Sequence, residues 1–143
     1  MSELTFSGLC SMLSRNGDDL LYQTNLILER VCNYWNVSST KHSLIRFKFE
    51  NDKMEFTIPQ CKFSCFSDTK LVLIEGEILS QVTFFVDKNG DKVPFHIFYL
   101  NTNLVVNYET PKRAPDVYWN LARHVEEHFM NELLQSASKA GLI

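Results

Sequence analysis

No uninterrupted apolar run in this chain is longer than a few residues, whereas a membrane-spanning helix needs roughly 20. Glycine and proline are scarce, five and four among 143 residues, which excludes collagen-like and low-complexity chains. Basic residues are not in excess: 14 Lys and Arg against 17 Asp and Glu give a net charge of −3. They fall in ones and twos, not in the stripe that nucleic-acid binding requires, so neither a nucleic acid nor a membrane is expected as a partner. The start, Met-Ser-Glu-Leu-Thr-Phe, has neither the cationic residues nor the apolar core of a secretion signal. A cytoplasmic location follows as the expectation, with Cys10, Cys32, Cys61 and Cys65 kept reduced. Asn36-Val37-Ser38 fits a glycosylation acceptor, which has no use without a secretory route. No G-x-S-x-G elbow, P-loop or glycine-rich dinucleotide turn occurs.

What the chain does have is apolar material in ordered patterns. Hydrophobic residues make up 45% and charged residues 22%, the balance of a packed globule. The length suits one domain, 1–143, able to bury roughly 70% of its unfolded surface without staples. Residues 1–16 are serine-rich and read as an irregular lead-in, with one short helix around Gly8–Ser14. Gly17-Asp18-Asp19 suits a helix start. Leu20, Leu21, Thr24, Ile27, Leu28, Val31 and Trp35 then recur at helical spacing, which predicts a helix over Asp19–Trp35.

From His42 the period changes to two. Ile45, Phe47 and Phe49 alternate with Arg46, Lys48 and Glu50. After a turn at Asn51-Asp52, Met54, Phe56 and Ile58 alternate with Glu55 and Thr57, giving a hairpin with one dry face. Cys61, Phe63 and Cys65 share one side of a third strand, and Leu71–Leu79 reads as a fourth. Val82–Val86 and Val93–Leu100 flank Asn89-Gly90, the strongest short hairpin signal. Leu104–Glu109 is a last strand. Pro115-Asp116 suits the start of a final helix over Asp116–Ala137, with Tyr118, Leu121, Ala122, Val125, Phe129, Leu133 and Ser136 as its stripe.

The expected fold is therefore α+β. A curved antiparallel meander of about six strands packs in two layers against an N-terminal and a C-terminal helix. The strands of the first half are apolar on one face and those of the second half on two, and a strand apolar on both faces must be covered on both. Phe95, Ile97 and Tyr99 are assigned to the helix side, which leaves Phe85, His96, Phe98 and Leu100 facing away.

Each chemical motif has a plainer reading that outweighs it. His124-Val125-Glu126-Glu127-His128 fits the H-x-x-E-H pattern of one zinc-peptidase class. On a helical wheel, though, His124, Glu127 and His128 lie off the apolar stripe, as a solvated flank does, so no metal is assigned. Cys61 and Cys65, four residues apart on a strand, would stand about 13 Å apart, too far for a disulfide or a shared zinc; both read as buried free thiols. Asp87-Lys88-Asn89-Gly90-Asp91 echoes a calcium loop but lacks its later glutamate and flanking helices. Lys112-Arg113 before a helix start is a weak anion signal. No cofactor is assigned.

The functional expectation is a non-enzymatic binding or interaction protein that uses an apolar sheet face in the second half of the chain. Its candidate contact residues are Phe85, His96, Phe98, Leu100, Tyr108 and Trp119. The expected partner is a second copy of the chain, a homodimer held partly by Phe98 with His96 near the rim, or else an unidentified protein. The alternative is a pocket between the curved sheet and the C-terminal helix for a small apolar ligand or a substrate, with His96, Tyr99, Tyr108 and Trp119 as polar handles.

Overall fold

The structure is a computed structural model, in which residues 4–36, 44–108, 117–118 and 125–143 are described. It is an α+β fold of two layers, a curled antiparallel sheet with helices on one face. Its helices are α1 (Phe6–Met12), α2 (Asp18–Asn36) and α3 (Val125–Lys139). Its strands, among the described residues, are β1 (Arg46–Glu50), β2 (Lys53–Ile58), β3 (Phe63–Ile74), β4 (Glu77–Lys88), β5 (Asp91–Leu100), β6 (Val105–Tyr108) and β7 (Val117–Tyr118). They pair in sequence order, as a simple meander does. No described helix is long and apolar enough to cross a membrane.

The hairpin turns follow from local chemistry. Asn51-Asp52, Glu75-Gly76 and Asn89-Gly90 all have positive φ at both central residues, the type I′ geometry whose twist matches that of paired strands. Asn-Gly signals this turn, whereas Glu-Gly does not, because glutamate is strained at φ 52°. The sequence reading accordingly missed the middle turn. The strand expected over Leu71–Leu79 is the end of β3, the turn, and the start of β4. Cys61 lies in a single 3-10 turn, Pro59–Cys61, and not on a strand. It is exposed, contrary to expectation, while Cys65 is buried.

Two helix boundaries also differ from expectation. The segment before Gly17 is helical from Phe6, and it runs through a π-helical turn, Leu13–Gly17, directly into α2. Thr5 Oγ1 caps its start by accepting the Gly8 amide at 3.0 Å. At the other end, Val117-Tyr118 do not begin the last helix; they pair with Val106 and Val105 of β6. A β-branched and an aromatic residue beside an open strand edge favour pairing over the Pro-Asp helix signal. Leu121 and Ala122 lie outside the described residues.

The core is built from the inner sheet face and one stripe of each long helix. Leu20, Ile27, Leu28 and Val31 of α2 and Val125, Phe129 and Leu133 of α3 meet Met54, Phe56, Val82, Phe84, Phe98 and Val106. Phe84, Phe98 and Phe129 are fully buried, and each burial stabilises the fold by roughly 1.5–3 kcal/mol. Several polar groups in this layer are paired. Thr24 Oγ1 donates to the Leu20 carbonyl at 2.7 Å and lies 2.8 Å from Ser80 Oγ. Ser67 Oγ accepts the Met54 amide at 2.9 Å. Asn36, of the glycosylation-like pattern, donates its side-chain amide to the Phe47 carbonyl at 3.2 Å.

Candidate functional site

The pairing of β4 with β5 decides where the candidate residues point. Phe84 pairs with His96 but Phe85 pairs with Pro94, so Phe95 is an extra residue and the register shifts there. Such a bulge moves the side-chain alternation by one. Val93 and Phe95 pack against the core before it, with Phe95 5.8 Å from Phe63. After it, His96, Phe98 and Leu100 point inward, with 4%, 0% and 0% exposed.

The expected face assignment is therefore reversed for three of its four residues. His96, Phe98 and Leu100 lie under the helices, and only Phe85 faces away from them. The apolar character on both sides of Val93–Leu100 partly records this change of phase within one strand. Phe98 cannot hold a dimer interface, because no part of it reaches the surface.

The structure brings His96, Phe98 and Tyr108 together in one interior cluster. Tyr108 lies 5.9 Å from His96 and 6.4 Å from Phe98, centroid to centroid. His96 Nδ1 is 2.7 Å from Ser136 Oγ on α3, while its Nε2 is buried with no hydrogen-bond partner among the described residues. A serine beside a histidine is the outline of a nucleophile and its base. Burial, however, lowers the His96 pKa from 6.5 to about 4, away from the near-neutral value that suits a base. The space between sheet and α3 is filled by Phe84, Phe98 and Phe129, with ring centroids 5.2 and 6.2 Å apart. Trp119 lies outside the described residues.

The H-x-x-E-H segment divides in an unexpected way. Glu127 and His128 are exposed, with the His128 ring 5.5 Å from Tyr108. Glu126 is instead buried, and its Oε1 accepts from Arg30 Nε at 2.6 Å, tying α3 to α2. His124 lies outside the described residues.

On the outer sheet face, composition changes from one edge to the other. Arg46, Lys48, Glu50, Lys53 and Glu55 are exposed on β1 and β2. Farther along stand Phe66, Phe85 and Ile97, all half-buried. Leu79, Tyr99 and Val105 are buried, but apart from the main core cluster. Tyr99 also accepts at its hydroxyl from Gln81 Nε2, at 3.1 Å.

Phe66 and Phe85 form a cross-strand pair, stacked at 5.8 Å with planes 24° apart. The Lys92 ammonium sits 5.5 Å from one ring centroid and 5.8 Å from the other. Beside them Asp68, Lys70, Gln81 and Thr83 surround a hollow of about 200 Å³. Comparison with protein-family models, with curated proteins and with solved structures found no match to this chain.

The sequence reading missed Phe66, Lys92 and Ser136. Phe66 falls in the gap between the expected third and fourth strands, which β3 runs across without a break, so its outward phase is not visible in the sequence. Lys92 stands directly across from Asp87, a neighbour visible once the hairpin at Asn89-Gly90 is accepted. Ser136 was placed on the buried stripe of the last helix, but nothing local links it to His96, 40 residues away.

Proposed function

We propose that this chain is a non-enzymatic interaction protein that binds a protein partner on the outer face of β3–β5. The observation that carries the reading is the stacked Phe66–Phe85 pair under Lys92, on the sheet face opposite both long helices. Aromatic side chains are enriched at interface centres, and a lysine beside them suits the polar rim. The chemistry suits a partner segment that lays an apolar side chain on the rings and a carboxylate beside Lys92. The plainer role, in which Lys92 only shields two surface rings, contributes roughly 0.5–1 kcal/mol at an exposed site. The neighbouring hollow, about 200 Å³, is below the roughly 300–1,000 Å³ of small-molecule pockets. That size and the filled space under α3 favour a macromolecular partner over a ligand or substrate.

Photocrosslinking in the native host tests the reading. A benzophenone amino acid at position 85 or 97 is expected to trap one discrete partner, and the same probe at Glu55, on the polar end of the same face, to trap none. Equal yields at all three positions, or no adduct from position 85, would count against this surface.

A further inference from the structure

The sheet opens at one end. β3 pairs with β4 from Ile74–Glu77 as far as Phe66–Phe85, and there the pairing stops. Both strands go on: Phe63–Phe66 keep their pairing with β2, and Val86–Lys88 keep theirs with β5. The break coincides with the bulge at Phe95, opposite Phe84 and Phe85. A bulge bends and twists its strand pair, which carries the end of β4 away from β3. In a two-residue hairpin the closing pair, here Ile74–Glu77, exchanges both main-chain bonds, and every second pair after it does the same. That phase includes Phe66–Phe85 and falls next on Ser64 and Asp87, whose N–H and C=O groups therefore point into the fork. The fork holds a hollow of about 380 Å³, within the roughly 300–1,000 Å³ of small-molecule pockets. Phe63 and Val86, both buried, form its floor, and Leu142 closes one side. Leu142 is fixed there. After Gly141 reverses the chain at φ 74°, the Leu142 amide donates to the Ala137 carbonyl at 2.9 Å and the side chain packs on the core. Lys62 and Lys88 are exposed at the rim, and neither has an ion-pair partner among the described residues. Asp87, the one acid among the described lining residues, is engaged by the Gly90 amide at 2.9 Å.

We infer that this fork binds a small apolar carboxylate. The apolar body lies on Phe63, Val86 and Leu142. The carboxylate accepts from the Lys62 and Lys88 ammoniums, with the Ser64 amide as a further donor. Three features select this class. Two ammoniums against one engaged carboxylate favour an anion, in a chain whose net charge is −3. The apolar floor disfavours a bare inorganic anion, whose oxygens would face Phe63 and Val86 without donors. The open stretch of ladder is only about three residues deep, roughly 10 Å at about 3.3 Å per residue, too short to seat an added strand. In the plainer role, water fills the fork and bonds the free main-chain groups. Phe66 borders both this hollow and the outer-face surface, but the inference does not rest on the partner reading. Lys62 and Lys88 take no part in that surface, so either proposal can fail alone.

Titration of the isotope-labelled full chain with phenylbutyrate at neutral pH, followed by amide NMR, tests the inference. Saturable shifts are expected, largest at Ser64 and Asp87, with a Kd at or below about 1 mM. Lys62→Ala with Lys88→Ala changes only exposed positions, so the ligand-free melting temperature should match the wild type. Its Kd should rise at least about tenfold, because two charge-assisted bonds are lost. Phenylbutanamide keeps the apolar body and loses the charge, and it should bind the wild type as weakly as the acid binds the variant. No saturation by about 10 mM, shifts confined to residues outside the fork, or equal affinity for acid and amide would each overturn the inference. So would a double variant that melts and binds as the wild type does. Inorganic phosphate displacing the acid at equal concentration would also overturn it, by reducing the fork to a nonspecific anion contact.

Discussion

Acidification is expected to destabilise this fold through one residue, His96. Its ring is buried against Phe84 and Tyr108, and desolvation lowers its pKa from 6.5 to about 4. In the unfolded chain the imidazole takes up a proton near pH 6.5, while in the folded chain it stays neutral down to about 4. Unfolding is thus favoured as pH falls through the window between these two values, and the stability due to neutral His96 is fully present only above it. A shift of this size corresponds to about 3 kcal/mol once below the window, and to about 2 kcal/mol between pH 7 and pH 4.5. That is a large share of the roughly 5–15 kcal/mol of a typical domain. Urea unfolding followed by tryptophan fluorescence, at several pH values from 7 to 4, measures the slope. His96→Asn keeps a polar group near Ser136 but cannot titrate, so its curve should be flatter by about the same amount. Parallel curves for wild type and His96→Asn would refute the reasoning and transfer the acid sensitivity to carboxylates.

Two further substitutions test the packing. Phe98→Ala should cost about 3–5 kcal/mol, because it empties a fully buried site. Phe85→Ala should cost under about 1 kcal/mol, and equal costs in chemical denaturation would contradict the bulge-defined faces. Arg30→Ala leaves the buried Glu126 carboxylate without its 2.6 Å contact. With Arg30 half-exposed, the expected loss is about 1–2 kcal/mol, between exposed and buried ion pairs; a double-mutant cycle with Glu126→Ala isolates the pair.

The sequence alone determined the class of fold and the two long helices. Hydrophobic period is a local property: three and four residues apart over Leu20–Val31, two apart over Ile45–Ile58, each stating which face is dry. Asn51-Asp52 and Asn89-Gly90 are turns by the same local logic, because they tolerate positive φ. The neutrality and serine content of residues 4–14 are equally legible, although the sequence pattern gives a shorter, separate helix there. What only the tertiary structure decided is which face of β5 is the inside. One extra residue at Phe95 moves His96, Phe98 and Leu100 from the expected outer face into the core, and no local pattern marks that step. The alternation reads the same with or without the bulge until the strand is set against β4. The same holds for the long-range partners. Ser136 meets His96, Arg30 meets Glu126, and Phe66 stacks on Phe85 only after the meander and helices are assembled, since each contact joins residues whose separation along the chain carries no signal of its own.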